Sequence, residues 1–395
     1  MREGRLLLTG ATGFLGGAIA AALLDSPRWR ELLILIRAAD AAEGKARLAE
    51  CMQRFALDPA LVERIDDEQI LCGDLCGAAQ FADDSRLAAI TEVVNCAAFA
   101  SFSNHPQIQR TNVGGTVEFA RVIAARAQLR RFIQVGTAMS CGADAPKLVL
   151  EGYEPPEEAV QLVPYTASKL EGERRLRKLE GLPLVIVRPS IIVGHTRLGC
   201  RASPSLFWVF RMARALRCFP CPADGRIDVV PVDYCAQAIL HLLEAPRLAH
   251  ELYHISAGAQ GSCSYREIDA AIAMALGEQP THDYRQLDYD VIRQEQDRFD
   301  ELFGPCIKPV MLRAIRLYGD FGSLDMLFDN ARLLAAGVAA PPRFSSYAGL
   351  CAVSGHGAPI ASQMQYDFKG MPTRRREAAS SGLSGGDGIQ RLGLA

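Results

Sequence analysis

The chain has 395 residues, of which 49% are hydrophobic and 22% charged, with a net charge of −2. This is the make-up of a globular enzyme with room for one large α/β domain and a smaller lobe. The near-neutral balance argues against nucleic acid or an anionic membrane as the main partner.

Arg2 and Arg5 precede an apolar stretch reaching Leu24, which imitates a secretory leader. Thr9, Gly10, Thr12, Gly13, Gly16 and Gly17 interrupt that stretch in a strand–turn–helix pattern, so a cytoplasmic location is expected. No uninterrupted apolar run of about 18 residues follows, and no membrane span is expected. Strands are predicted at Leu6–Thr9, Leu33–Ile36, Gln69–Cys72, Glu92–Asn95, Phe132–Val135 and Leu184–Val187, alternating with helices at Gly13–Leu24, Glu43–Phe55, Gln107–Arg126 and Tyr165–Leu179. That rhythm predicts an α/β fold with a Rossmann-type, doubly wound parallel sheet. After about Ser190 the rhythm loosens. An insertion over about 195–228 carries an arginine-studded helix at Ser205–Leu216, and Val229–Asp233 returns the chain to the core. Residues 1–260 are assigned to the nucleotide-binding domain and 261–372 to a mostly helical substrate lobe with helices at Tyr289–Phe303 and Lys308–Tyr318. The Gly-, Ser- and Arg-rich stretch 373–395 is expected to be a flexible tail.

The best local motif is Thr9-Gly10-Ala11-Thr12-Gly13-Phe14-Leu15-Gly16, three glycines at three-residue spacing between a strand and a helix. Such a turn lets backbone N–H groups and a helix N-terminus approach a pyrophosphate. Gly10, Thr12, Gly13, Phe14, Leu15 and Gly16 are therefore cofactor-binding candidates. The end of the second strand selects the cofactor: where NAD-binding folds place an acid for the ribose hydroxyls, this chain has Arg37, 21 residues beyond Gly16. Arg37 suits a 2′-phosphate, with Lys45 or Arg47 as a second charge, and NADPH/NADP+ is the expected cofactor. Asp74, with Leu75 beside it, is a candidate partner for the adenine.

Tyr165-Thr166-Ala167-Ser168-Lys169 puts a tyrosine and a lysine on one face of a helix. A free tyrosine, with a pKa of about 10, is a poor acid–base group at neutral pH, and a neighbouring ammonium is expected to bring it into range. Thr137 ends a strand 28 residues upstream and can hold a reacting oxygen; Ser140 competes for that role, with Thr137 preferred as nearest the strand end. Of the twelve cysteines, Cys218 and Cys221 form a C-x-x-C and Cys72 and Cys76 flank Gly-Asp-Leu. A zinc site would need both pairs together; reduced thiols packed as small apolar residues are the expectation, with no metal ligands assigned.

These pieces, joined by Leu35-Ile36-Arg37, Gly73-Asp74-Leu75, Asn95-Cys96-Ala97-Ala98, Asn112-Val113-Gly114-Gly115-Thr116, Arg188-Pro189-Ser190 and Val230-Pro231-Val232-Asp233, resemble an extended short-chain dehydrogenase/reductase. More narrowly, the chain is similar to the male-sterility NAD-binding branch containing thioester reductase domains and fatty acyl-CoA reductases. The resemblance covers about residues 5–233. Gly136-Thr137 departs from the Ser-Thr or Ser-Ser of many relatives, and the C-terminal lobe matches only through Phe328-Asp329-Asn330-Ala331-Arg332-Leu333. The resemblance implies that Gly10, Gly13 and Gly16 hold the pyrophosphate, that Ala97 and Asn112 line the nicotinamide side, and that Pro189 is a further cofactor-binding residue. It also implies that Lys169 grips the nicotinamide ribose and that Asn112 joins a proton path to Lys169.

The implied activity is NADPH-dependent reduction of an acyl thioester, on coenzyme A or an acyl carrier protein, to an aldehyde or alcohol. Thr137 and Tyr165 would stabilise the oxyanion, and Tyr165 would protonate it. Arg211, Arg214 and Arg217, in a segment with six arginines and one acid over 197–226, could form a face for the phosphates of the thioester donor or simply a solvated surface. The alternatives are a nucleotide-sugar epimerase or dehydratase, a hydroxysteroid-like dehydrogenase, or a non-catalytic NADP-sensing protein. Ser190, where the nucleotide-sugar enzymes commonly carry Asn, and the retained Tyr165 speak against them.

Overall fold

A computed structural model describes residues 4–355, 357–365, 367 and 368; the expected tail, and the last residues of the expected lobe, lie outside the described residues. Seven strands form one parallel sheet: β1 (Arg5–Thr9), β2 (Leu32–Ile36), β3 (Ile70–Cys72), β4 (Ile90–Asn95), β5 (Arg131–Val135), β6 (Leu184–Pro189) and β7 (Leu252–Ile255). Their spatial order is β7-β6-β5-β4-β1-β2-β3, so the order reverses at the β1/β4 seam. Open α/β sheets bind ligands at such a switch point, beyond the strands' carboxyl ends.

Period-two alternation explains why both faces are covered. Leu6, Leu8, Ile34 and Ile36 point into a cluster with α1 (Phe14–Leu24), α2 (Ala41–Arg54) and the later helix Val232–Glu244. Leu7, Leu33, Leu35 and Val93 point to the opposite side, against Val117, Phe119 and Ile123 of α3 (Thr116–Arg126) and Leu176 of α4 (Pro164–Leu176). Strands buried on both faces read as unbroken apolar runs, and six of the seven were predicted within one or two residues. The exception is β7, Leu-Tyr-His-Ile, an edge strand paired only with β6. Its His254 is fully buried, donating its backbone N–H to Glu151 and placing Nδ1 3.0 Å from the Asp329 carbonyl oxygen.

The helix predicted at Gln107–Arg126 is continuous but not uniform. Gln107–Gln109 is α-helical, Arg110–Gly115 is a π segment, and α3 follows. Beyond β6, α5 (Phe207–Leu216) begins after Ser205, whose φ of +43° blocks the earlier start expected for it. Trp208 and Met212 of α5 pack with Phe299, Phe303 and Ile315, while Phe207 and Phe210 pack with Ile268, Phe344 and Tyr347. The insertion is thereby joined to α6 (Tyr265–Leu276), α7 (Lys308–Ser323), α8 (Ala348–Ser354) and α9 (Ile360–Met364). Phe328–Leu333 docks back on the nucleotide-binding core, where Asn330 donates to the Ser256 carbonyl (2.8 Å) and Glu151 accepts from the Arg332 amide (2.5 Å). Cys218 and Cys221 are buried beside Phe219, and among the described residues no cluster of His, Cys, Asp and Glu is grouped to hold a metal.

Candidate active site

The switch point is fastened by neutral side chains. Thr9 Oγ1 donates to Asn95 Oδ1 (2.6 Å), Asn95 Nδ2 donates to Gln134 Oε1 (2.8 Å), and the Ala97 amide donates to Thr9 Oγ1 (3.0 Å). β1, β4 and β5 are thus linked just below the glycine turn. Gly10 has a φ of +72°, and a Cβ there would sit 2.8 Å from the Ala97 nitrogen; a Cβ on Gly16 would overlap the Gly10 carbonyl. Both positions exclude side chains so that α1 can begin against β4. The Gly13 amide closes the turn on the Gly10 carbonyl (2.9 Å), and Gly13 is exposed, with Thr12, Phe14 and Leu15 half-buried around it. The first turn of α1 has no acidic residue, so this N-terminus fits a pyrophosphate.

Arg37 stands exposed just past β2, and Arg47 of α2 donates to its carbonyl oxygen. Lys45, the other candidate for a second charge, pairs with the exposed Asp67 at 2.6 Å. Arg54, which sequence reasoning passed over, donates to the Thr12 carbonyl (3.0 Å) and braces the glycine turn from α2. Asp74 is half-buried, and one carboxylate oxygen caps the Cys76 amide (2.7 Å). Leu75 is buried in the apolar cluster, so only its main chain can meet a cofactor. Ala97 is half-buried after β4, and Pro189 is buried as the last residue of β6.

Thr137 is half-buried at the end of β5, where it starts a short 3₁₀ turn. Ser140 is fully buried and its hydroxyl donates to the Thr137 carbonyl (2.7 Å), so the more open hydroxyl at this strand end is that of Thr137. Tyr165 lies in the first turn of α4, after Pro164, and Lys169 follows one turn later. Lys169 is buried; burial pulls its ammonium down to about 8, against the opposing pull of the Glu173 carboxylate. Burial pushes Tyr165 up to about 12, the reverse of the depression expected from its lysine neighbour. Desolvation disfavours the phenolate, so the tyrosine rests protonated.

Asn112 occupies the π segment and is buried. Its Oδ1 accepts from the Phe99 amide (2.7 Å), while Nδ2 donates to the Phe99 carbonyl (3.3 Å) and to Ser168 Oγ (3.0 Å). The side chain therefore braces the loop after β4 and the residue beside Lys169 rather than reaching the lysine. Glu173 and Arg188 were not picked out for the site. They form a fully buried ion pair, with Nε at 3.0 Å and Nη2 at 2.7 Å from Oε2, tying α4 to β6. A Cβ at position 136 would collide with the Glu173 carboxylate as it is placed here, which accounts for Gly136.

The arginine face on α5 does not form. Arg211 donates to the carbonyls of Gly355 and Ala358, Arg214 pairs with Asp269 and Glu278, and Arg217 pairs with Asp283. Their partners lie 55 to 147 residues downstream, beyond the window in which the segment looked uncompensated.

Residues 8–239, well over half of the chain, match the family described as male sterility protein. The chain is 30% identical over 272 residues to the non-canonical nonribosomal peptide synthetase FrzA of Cladobotryum, and 29% identical over 276 residues to the aldehyde reductase lnaA of Aspergillus flavus. Each match covers 64% of this chain and 26% of the relative, so the chain spans about a quarter of their length. Among solved structures, the terminal R domain from the myxalamid PKS-NRPS biosynthetic pathway superposes with a TM-score of 0.73 at 22% identity, covering 90% of this chain and 91% of that one. No described helix is long and apolar enough to cross a membrane. The chain belongs to the male sterility protein family of NAD-binding domains.

Proposed function

We propose that the chain is an NADPH-dependent reductase of an acyl thioester presented on a carrier protein or coenzyme A. The observation that carries this reading is the placement of Tyr165 and Lys169 one turn apart on α4 and of a half-buried Thr137 hydroxyl at the end of β5, in a sheet whose first strand ends in a glycine turn shaped for a dinucleotide. The relatives that include a peptide synthetase and an aldehyde reductase support carrier-bound thioesters over other carbonyls.

Gly10, Gly13 and Gly16 would hold the pyrophosphate, Arg37 with Arg47 the 2′-phosphate, Asp74 the adenine, and Lys169 the nicotinamide ribose. When bound, NADPH supplies a hydride to the thioester carbonyl carbon. Thr137 and Tyr165 orient the carbonyl oxygen and donate hydrogen bonds as negative charge builds on it. Tyr165 then gives up its proton to that oxygen, leaving a hemithioacetal that separates into aldehyde and thiol. A tyrosine held protonated suits this reductive direction, and the Lys169 ammonium offsets the phenolate left behind.

NADPH consumption, with product identification, against acyl-coenzyme A, acyl-carrier, UDP-sugar and steroid panels tests the reaction; aldehyde and free thiol in equal amounts are expected from thioesters alone. Titration of both cofactors tests Arg37. NADPH should bind ahead of NADH, and Arg37→Ala should cost about 1.5–3 kcal/mol for NADPH alone. Equal affinity of the unaltered protein for the two cofactors rejects the selectivity.

A further inference from the structure

The loop that follows β4 leads from the cofactor side of the site to the helical lobe. Residues 96–105, Cys-Ala-Ala-Phe-Ala-Ser-Phe-Ser-Asn-His, contain no Asp, Glu, Lys or Arg. The loop is fixed at two points. Asn112 holds both backbone groups of Phe99, and the Asp367 carbonyl accepts from the Phe102 amide (2.7 Å). Asp367 is itself fixed to the lobe, since its Oδ2 accepts from Trp208 Nε1 at 2.6 Å.

Held this way, the Phe102 ring stands 6.2 Å from the Tyr165 ring, 5.6 Å from Tyr318 and 6.0 Å from Phe321, centroid to centroid. Tyr318 and Phe321 lie one turn apart on α7, and Trp208 supports Tyr318 edge-on at 5.1 Å. Tyr318 and Trp208 are buried, whereas Phe102 and Phe321 are only half-buried and retain apolar surface beside the proposed proton donor. Aromatic surface of this kind gains by covering hydrocarbon, and a charge brought against it would lose its water without a partner.

We propose that Phe102, with Phe321 beside it, is the wall along which the acyl group lies next to the thioester carbonyl, so the chain selects uncharged, apolar acyl groups of several carbons. The inference rests on the thioester-reductase reading of Tyr165 and adds to it the class of acyl group. Phe102 acts as a specificity-determining residue, and the Asp367 contact sets the ring's position.

The test is kcat/KM for NADPH-dependent reduction of acetyl, butyryl, hexanoyl and octanoyl N-acetylcysteamine thioesters, with a succinyl thioester as the anionic counterpart of butyryl. Each methylene that becomes buried is worth about a fourfold gain, so kcat/KM should climb steeply along the series and fall at least tenfold from butyryl to succinyl. In Phe102→Ala the octanoyl-to-acetyl ratio should collapse by tenfold or more. Phe102→Leu, which keeps an apolar surface, should retain most of the slope, and NADPH titration of both variants reports whether the fold is kept. Turnover with a flat chain-length profile, or an equal proportional loss for every chain in Phe102→Ala, overturns this inference while leaving the thioester-reductase reading standing. No turnover of any thioester overturns that reading and this inference with it.

Discussion

Two polar seams run beneath the site, and they are built from different chemistry. Under the glycine turn, Thr9, Asn95 and Gln134 join β1, β4 and β5 through neutral hydrogen bonds. Under the helix that carries Tyr165 and Lys169, Glu173 and Arg188 join α4 to β6 through a buried ion pair. The neutral seam holds the backbone where a cofactor would rest and has no charge to titrate. The charged seam stands one turn from Lys169 and adds a field at the place where a proton would move. A cofactor cradle needs fixed backbone, whereas acid–base chemistry needs a set potential. The two seams divide those tasks.

The sharpest separation of the two comes from Tyr165→Phe. General acid assistance is typically worth about 10²–10⁴-fold in rate. Turnover should fall at least that far while NADPH titration stays close to that of the unaltered protein. A folded variant reducing within a few-fold of the original rejects the proton-donor role.

Next in size is Glu173→Gln. Removing one partner from a buried ion pair leaves the other uncompensated, at a cost of about 3–5 kcal/mol, measurable by urea unfolding. Thr9→Val tests the neutral seam and should cost less, about 1–3 kcal/mol for the polar groups left unpaired. Its functional loss should fall on NADPH affinity rather than on the rate at saturating cofactor. A larger destabilisation in Thr9→Val than in Glu173→Gln would invert the comparison.

The smallest effect is on pH dependence. Lys169 keeps its proton in the folded protein up to about 8, against an ordinary value of 10.5. Reduction should therefore decline as pH rises through about 8. Between about 8 and 10.5 the unfolded chain binds the extra proton, so this group makes folding stability rise over the window in which activity falls. Glu173→Gln removes the carboxylate that supports the ammonium, and the alkaline limb should move to lower pH. A limb that stays in place would assign Glu173 a purely structural part.

Much of the nucleotide-binding half was legible because its strands are short, mainly apolar runs set between helical segments and its glycine turn needs small residues whatever surrounds it. The positions of Arg37 just past β2 and of Tyr165 and Lys169 one turn apart on α4 follow from local spacing too. What escaped was set by distant partners. β7 was missed because it is four residues long and its His254 is accommodated by Glu151, Phe328 and Asp329, residues far away in the chain. The α5 arginines looked uncompensated because their acids come later, and Tyr165 was expected to be depressed because spacing gives a neighbour but not the degree of burial. Phe102 carried no signal at all, since its surroundings come from α7 and Asp367.

The π segment at Arg110–Gly115 has a bearing on how this part of the chain can change. A π turn accommodates one residue more than an α turn, and each residue advances an α-helix by about 100°. A sequence counted in 100° steps from Gln107 therefore loses phase with α3, and Asn112 sits at the slip. Deleting a residue on either side of Asn112 within 110–115 would let an ordinary helix close with the flanking segments kept in place, and it would look harmless by composition. The wide turn that carries Asn112 would be lost, and with it the placement that lets one side chain meet both Phe99 and Ser168.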